Sequence, residues 1–344
     1  MGQQAMGDGP GRRTVRLVPN ATVARARFLM GARLAIEATG PDAVSAIEAA
    51  FEEVGRLDKV MSNWRDDSEV SALNREAASH PVKCGPHLCA VVGAALLWAE
   101  ESGGAFDPTV EPLVRRLGLR GAEGRLPGVP GQADPVPPAP AATTPATTAA
   151  DRWGWRHVRF DEARRLVRFD GPGIGIDLGG IGKGYALDAA LGVLVSRGIE
   201  TALLDFSGQI LVHGRGPDDG AWTIGVTGPD DRDRPGESVR VAAGSLASSG
   251  NGERSVRGAQ GPVGHILDPG AGAPAVFGGT VTVLGPDGVT ADALSTALFV
   301  MGPERGATWA AAHHLDAVYL WHGAGGETKR LAIGQFDDGG GTAS

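Results

Sequence analysis

Aromatic side chains are scarce in this chain: Phe, Trp and Tyr make up only 5% of its 344 residues. The core must therefore be mainly aliphatic, and an aromatic set in polar, turn-rich text invites a second role. Cysteine is scarcer still. The two copies, Cys84 and Cys89, lie in KCGPHLCAVV with no second pair to complete a zinc set, so core packing is their better reading. Basic charge is also short, with 32 Lys and Arg against 40 Asp and Glu and a formal net charge of -8. That balance argues against a reader of phosphate backbones, and nucleic acid is not an expected partner. No run is long and apolar enough to span a bilayer, and residues 1–28 hold no apolar stretch of signal-peptide length. The expectation is a cytoplasmic chain without membrane insertion.

Glycine, by contrast, is abundant at 54 copies, which suits turns and loops that approach a ligand closely. The length is sufficient for a core without staples. Periodicity predicts a strand over 28–38, a helix over 41–60 and a helix over 87–102 that stops at Gly103-Gly104, followed by a loop over 104–114. Residues 121–150 are crowded with Pro, Ala, Thr and Gly and read as a disordered insertion. From Trp153 a β-hairpin is expected to run into a third strand, and a helix over 183–197 follows. Strands are predicted over 202–206, 209–214, 222–226, 239–243, 245–248 and 280–284, then helices over 290–301 and 303–314 and a terminal strand over 317–321. Helices mixed with hairpin-linked strands indicate the α+β class.

Three stretches carry chemistry. IDLGGIGKGYALDAA (176–190) ends a buried strand at Asp177 and passes through Gly179, Gly180, Gly182 and Gly184 into a helix, with Lys183 beside the turn. Such a junction can present backbone N–H groups and a helix N-terminus to phosphate; the alternative is a tight turn with a solvated Lys. It is neither a Walker loop nor a dinucleotide fingerprint, because the spacings differ. TADALSTALFVMG (290–302) places Asp292 and Thr296 four apart on one helix face. Carboxylate and hydroxyl oxygens are hard ligands of the type that Mg²⁺ selects, while plain capping by Thr290 with Asp292 in the first turn is the competing reading. GHILDPGAGAP (264–274) sets His265 near Asp268 in a punctuated loop, where a neutral imidazole can take a proton. Trp64, in MSNWRDDSEVSALNR, and Phe106, in GAFDPTVEPLV, stand in polar text and are candidates to sandwich a flat ring, core packing being the alternative for Phe106.

The order of these blocks resembles the ApbE-type FAD:protein FMN transferases. MGARL at Met30, MSNWRDDSEVSALN at Met61, GAFDPTVEPLV at Gly104, IDLGGIGKGYALD at Ile176, SGQILVHG at Ser207, ASSGNGER with GHILDPGAGAP, and TVTVLGPDGVTADALSTALFVMG at Thr280 carry the resemblance. It implies a single ApbE-like, T-fold-like domain of mostly antiparallel sheet packed with helices over 28–335, flanked by flexible segments at 1–27 and 336–344. It also implies that FAD, as substrate, contacts Met30, Trp64, Ala105, Phe106, Asp107, Asp177, Lys183 and Ile266. Magnesium is then held by Asp292, Thr296 and a backbone oxygen near Gly180, His265 and Asp292 are the catalytic residues, and the hydroxyl proton goes to His265 or a neighbouring carboxylate. The implied reaction moves FMN to a Thr or Ser hydroxyl of an acceptor protein with release of AMP. The same site used with water would be an FAD pyrophosphatase, and without turnover a flavin-binding protein. The chain departs from the family pattern at Ala32, where a small hydroxyl residue is usual, at Trp64, where tyrosine is common, and at Gln209, a place often taken by Asn or Asp. RRLGLRG also replaces the usual Trp-Gly-Phe.

Overall fold

The computed structural model describes residues 21–119, 153–226, 228–229, 237–250, 255–258 and 261–337. The insertion expected over 121–150 lies outside the described residues. Eight strands build the main sheet: β1 (Val23–Leu29), β2 (Ala32–Thr39), β3 (Thr201–Phe206), β4 (Gln209–His213), β5 (Gly244–Gly250), β6 (Thr280–Gly285), β7 (Asp316–His322) and β8 (Thr328–Ile333). Their order in space follows the chain, and each neighbouring pair is antiparallel. The α+β expectation holds, with a mostly antiparallel sheet.

Alternation along the strands divides the molecule into two faces. Leu211 faces the helices while Val212 faces the opposite side, and Ala317 and Tyr319 alternate with Val318 and Leu320 in the same way. On the helical face lie α1 (Ala43–Met61), α3 (Pro86–Glu101), α5 (Gly182–Ser196) and α6 (Gly288–Ala312). Ile47, Phe51 and Val54 of α1 pack with Leu88 and Val92 of α3 and Leu187 and Leu194 of α5 over β2 and β3. The second face is covered by the two-stranded ribbon Trp222–Val226 with Glu237–Val241, whose Trp222, Ile224, Val239 and Val241 meet Val212, Leu246, Val318 and Leu320. Cys84 and Cys89 are buried and free, and burial pushes the Cys84 thiol up to about 12, as a core residue requires.

Several elements differ from the sequence expectation. The single strand over 28–38 is a hairpin of β1 and β2, turned at Met30 (φ 48) and Gly31 (φ 73), and β1 begins ahead of residue 28. The polar text after Trp64 contains α2 (Glu69–Glu76), capped by Ser68, whose hydroxyl accepts from Ser71 N–H and whose short apolar face is Val70 and Leu73. The loop over 104–114 contains a 3₁₀ turn, Pro108–Val110, and then α4 (Glu111–Arg116). The hairpin Val158–Asp161 with Leu166–Phe169 does not run into a third strand of its own; its third strand is Val82–Lys83. The helices expected over 290–301 and 303–314 are one, α6 (Gly288–Ala312), interrupted at Gly302 (φ 72, ψ 172), and β8 adds a strand beyond the expected terminal one. Among the described residues no helix is long and apolar enough to cross a membrane.

Candidate active site

The site forms where α5 and α6 begin side by side. Extended chain reaches α5 through Ile176 and Asp177, and two asparagines from the α1–α2 region clamp it. Asn74 brackets Ile176, accepting its N–H (2.7 Å) and donating to its carbonyl (2.9 Å). Asn63 donates to the same carbonyl (2.9 Å) and to the Asp177 carboxylate (3.1 Å). Asp177 in turn accepts from Gly179 N–H at 2.8 Å, which folds the glycine turn.

The glycine turn corrects part of the phosphate-loop expectation. Gly179 N–H goes to Asp177, the N–H groups of Ile181 and Gly182 go to the Leu178 carbonyl, and Gly184 N–H goes to Asp292 Oδ2 at 2.9 Å. Amides engaged inside the fold do not cradle an anion, so the cationic contribution of this junction falls on Lys183. The ammonium of Lys183 lies 3.7 Å from Asp292 Oδ1 and 3.5 Å from Gln209 Oε1.

Asp292 is only 4% exposed. It is not a cap: Asp287 caps α6 by accepting from Thr290 N–H (2.7 Å), which also displaces Thr290 from that role. Asp188 of α5 satisfies two more α6 donors, Gly288 N–H (2.7 Å) and Val289 N–H (2.9 Å). With the helix end thus served, the Asp292 carboxylate points across to α5. One turn on, Thr296 Oγ1 approaches the Asp292 carbonyl at 3.4 Å. A β-carbon on Gly180 would lie 3.1 Å from Thr296 Oγ1 and 3.2 Å from the Phe106 ring, so glycine leaves that hydroxyl uncovered. Behind Asp292, Ser295 Oγ donates to its carbonyl (2.9 Å) and pairs with Ser249 of β5 (2.9 Å).

Met30, Phe106, Asp177, Gly180, Lys183, Asp292 and Thr296 are therefore brought together, the Met30 methyl lying 3.8 Å from where a β-carbon on Gly182 would stand. These contacts do not extend to Trp64, His265 or Ile266. Trp64 is half-buried beside Asn63, and His265 is half-buried after the strand Gly261–Gly264. Ile266 packs with Leu294 and Leu298 on the apolar side of α6. Phe106 is buried in the core beside Ala105, not exposed as its polar sequence context suggested. The Asp107 carboxylate is committed to Thr109 N–H (2.8 Å), Thr109 hydroxyl (2.6 Å) and Trp155 N–H (3.0 Å), and burial is the main cause that raises its pKa. Asn63, Asn74 and Ser249 are site-building residues that the sequence reading did not find, and Gln209 was marked there only as a departure from the family pattern.

The donor set suits a hard divalent cation that borrows phosphate oxygens: one buried carboxylate, one hydroxyl and the backbone of a glycine that keeps the hydroxyl open. Among the described residues no group of three or more His, Cys, Asp and Glu is arranged to hold a metal.

Residues 30–319 match the ApbE family. The chain belongs to the ApbE family. An FAD:protein FMN transferase of Treponema pallidum is 31% identical over 298 residues, which is 82% of this chain and 79% of that protein. One from Vibrio cholerae is 32% identical over 278 residues, 80% of this chain and 78% of its own length. Among solved ApbE structures, the ApbE protein of Thermotoga maritima superposes with a TM-score of 0.76 at 26% identity, covering 94% of this chain and all of that one. The flavin transferase ApbE of Vibrio cholerae gives 0.72 at 27% identity, covering 93% and 99%. The ApbE match begins at Met30 in the β1–β2 turn and ends at Tyr319 in β7, so it takes in every residue tied together above.

Proposed function

We propose that this chain is a magnesium-dependent FAD:protein FMN transferase. The observation that carries the reading is the meeting of Asp292, Thr296, Lys183 and Gly180 at the adjoining N-termini of α5 and α6, within a chain of the ApbE family. A Thr or Ser hydroxyl of the acceptor protein attacks the FMN-side phosphorus of FAD. A new P–O bond to the acceptor forms, the bond to the bridging oxygen breaks, and AMP departs with that oxygen. Lys183 binds the pyrophosphate and offsets its charge, while the clamp of Asn63 and Asn74 fixes the strand that carries Asp177.

Asp292, Thr296 and the Gly180 backbone would hold Mg²⁺, which when bound supplies charge neutralisation on pyrophosphate oxygens. Met30 and Trp64 would line the isoalloxazine with Ala105 and Ile266. Phe106 and Asp107 would act as the fixed wall behind them. On the family resemblance His265 would sit by the phosphate under attack, and it or a neighbouring carboxylate would take the hydroxyl proton.

The test is an incubation with FAD, Mg²⁺ and Thr-bearing acceptor domains from the source cells, followed by a denaturing gel for flavin fluorescence and chromatography for AMP. A fluorescent acceptor band and AMP are expected with Mg²⁺ and neither with EDTA. Asp292→Asn should lower the rate on the order of a hundredfold or more, as loss of a preorganised charged group does. AMP and free FMN with no labelled band would overturn the transferase reading in favour of hydrolysis.

A further inference from the structure

Gln209 is the first residue of β4, yet it is turned into the junction of α5 and α6 and is only 2% exposed. The hairpin that places it turns at Ser207 (φ 51) and Gly208 (φ 90). Its amide divides its bonds between the two helices. Nε2 donates to the carbonyl of Gly288, the first residue of α6, at 3.0 Å, and Oε1 faces the Lys183 ammonium of α5 at 3.5 Å. The same ammonium stands 3.7 Å from Asp292 Oδ1, within ion-pair reach, and neither contact is a short charge-assisted bond. Lys183 is thus shared between a neutral acceptor and a carboxylate.

The choice of an amide has a chemical consequence. A glutamate at position 209, one methylene longer than the Asp often found at this place, would have the reach of Gln209 and would take Lys183 into a full ion pair, oppose the Gly288 carbonyl and add a second negative charge near Asp292. An apolar side chain would leave Lys183 only Asp292 to lean on. The amide holds the ammonium without neutralising it, and its donor end is fixed by a backbone carbonyl, so its orientation is set. We propose that Gln209 is a positioning residue for the transfer reaction: it keeps Lys183 off Asp292, so that the ammonium is left for the pyrophosphate and the carboxylate for the cation. This rests on the flavin transferase reading of the site.

The experiment titrates the full chain with FAD, and separately with riboflavin, in EDTA, following flavin fluorescence. Riboflavin carries the ring without phosphate, so it reports pocket integrity while FAD adds the pyrophosphate. Gln209→Leu and Gln209→Glu are each expected to weaken FAD about tenfold, the scale of losing one charge-assisted contact, with the Glu variant the weaker of the two. Riboflavin affinity should be unchanged. In a Lys183→Met background, Gln209→Leu should cause no further loss, because the effect acts through Lys183.

Equal FAD affinity of wild type and variants would overturn the proposal, as would an equal loss in the Lys183→Met background or a parallel loss of riboflavin. If Gln209→Leu fails to fold, Gln209→Met, closer in shape, supplies the same comparison. A wild-type chain that binds neither flavin would overturn the functional reading itself and this inference with it.

Discussion

Asp188 reaches from the second turn of α5 to the start of α6, where its oxygens accept from Gly288 and Val289 N–H. Burial nevertheless pushes it up from 3.8 to about 6, the two hydrogen bonds pulling it down and the nearby Asp287 and Asp292 pushing it further up. The folded value lies above the unfolded one. Its contribution to stability is therefore fully present below about pH 4 and is lost as pH rises through about 6. Asp188→Asn keeps the shape and cannot titrate. Urea midpoints in EDTA should favour wild type over this variant more at about pH 4.5 than at about pH 7.5. An unchanged difference would show that this carboxylate does not govern the loss of stability as pH rises through about 6. Sequence spacing was enough to place Asp292 and Thr296 on one face of a helix, because four residues make about one turn. It could not reveal Asn63 or Asn74, or the partners of Gln209, because these contacts span up to 114 residues along the chain and are made only by the fold.

Between elements, the close approach of α5 and α6 depends on Gly184. A β-carbon there would stand 2.1 Å from the Gly288 carbonyl oxygen and 2.9 Å from Asp292 Cβ, and a backbone carbonyl has no rotamer by which to yield. Gly184→Ala should therefore push the helices apart at the point where Lys183 and Asp292 meet. About 1–3 kcal/mol of stability should be lost, as overpacking typically costs, and transfer activity with it. Gly192, further along α5, has nothing within 4 Å of its β-carbon position. Its change to Ala should be neutral or stabilise by about 0.4–1 kcal/mol. Thermal melts of the two variants make the comparison, and equal behaviour would mean that the contact is not tight. Long periodic helices and alternating hairpins were legible in the sequence, as was the break that Gly302 and Pro303 impose between helical halves. What escaped was short or locally unsignalled: α2 buries only Val70 and Leu73, and the β1–β2 turn uses Met30 at a positive φ that nothing in its residue type announces.

At the scale of the molecule, the site joins parts that are far apart in the chain. Met30 comes from the first hairpin, Phe106 from the turn after α3, Lys183 from α5 and Asp292 from α6, all held on the helical face of one sheet. A ligand that touches all of these binds only the folded arrangement and must stabilise it by mass action, by about 2.7 kcal/mol at a hundredfold excess over its dissociation constant. FAD alone should raise the urea midpoint, and FAD with Mg²⁺ should raise it further. On the proposed function the two increments are separable, since the ring and Lys183 would contribute to the first while Asp292 would be needed for the second. Asp292→Asn should keep the FAD increment and lose the Mg²⁺ increment, its shape still able to accept from Gly184 N–H. If the variant retains the full Mg²⁺ increment, the cation is held elsewhere and the assignment of Asp292 falls. If wild type gains nothing from FAD, the flavin reading falls with it.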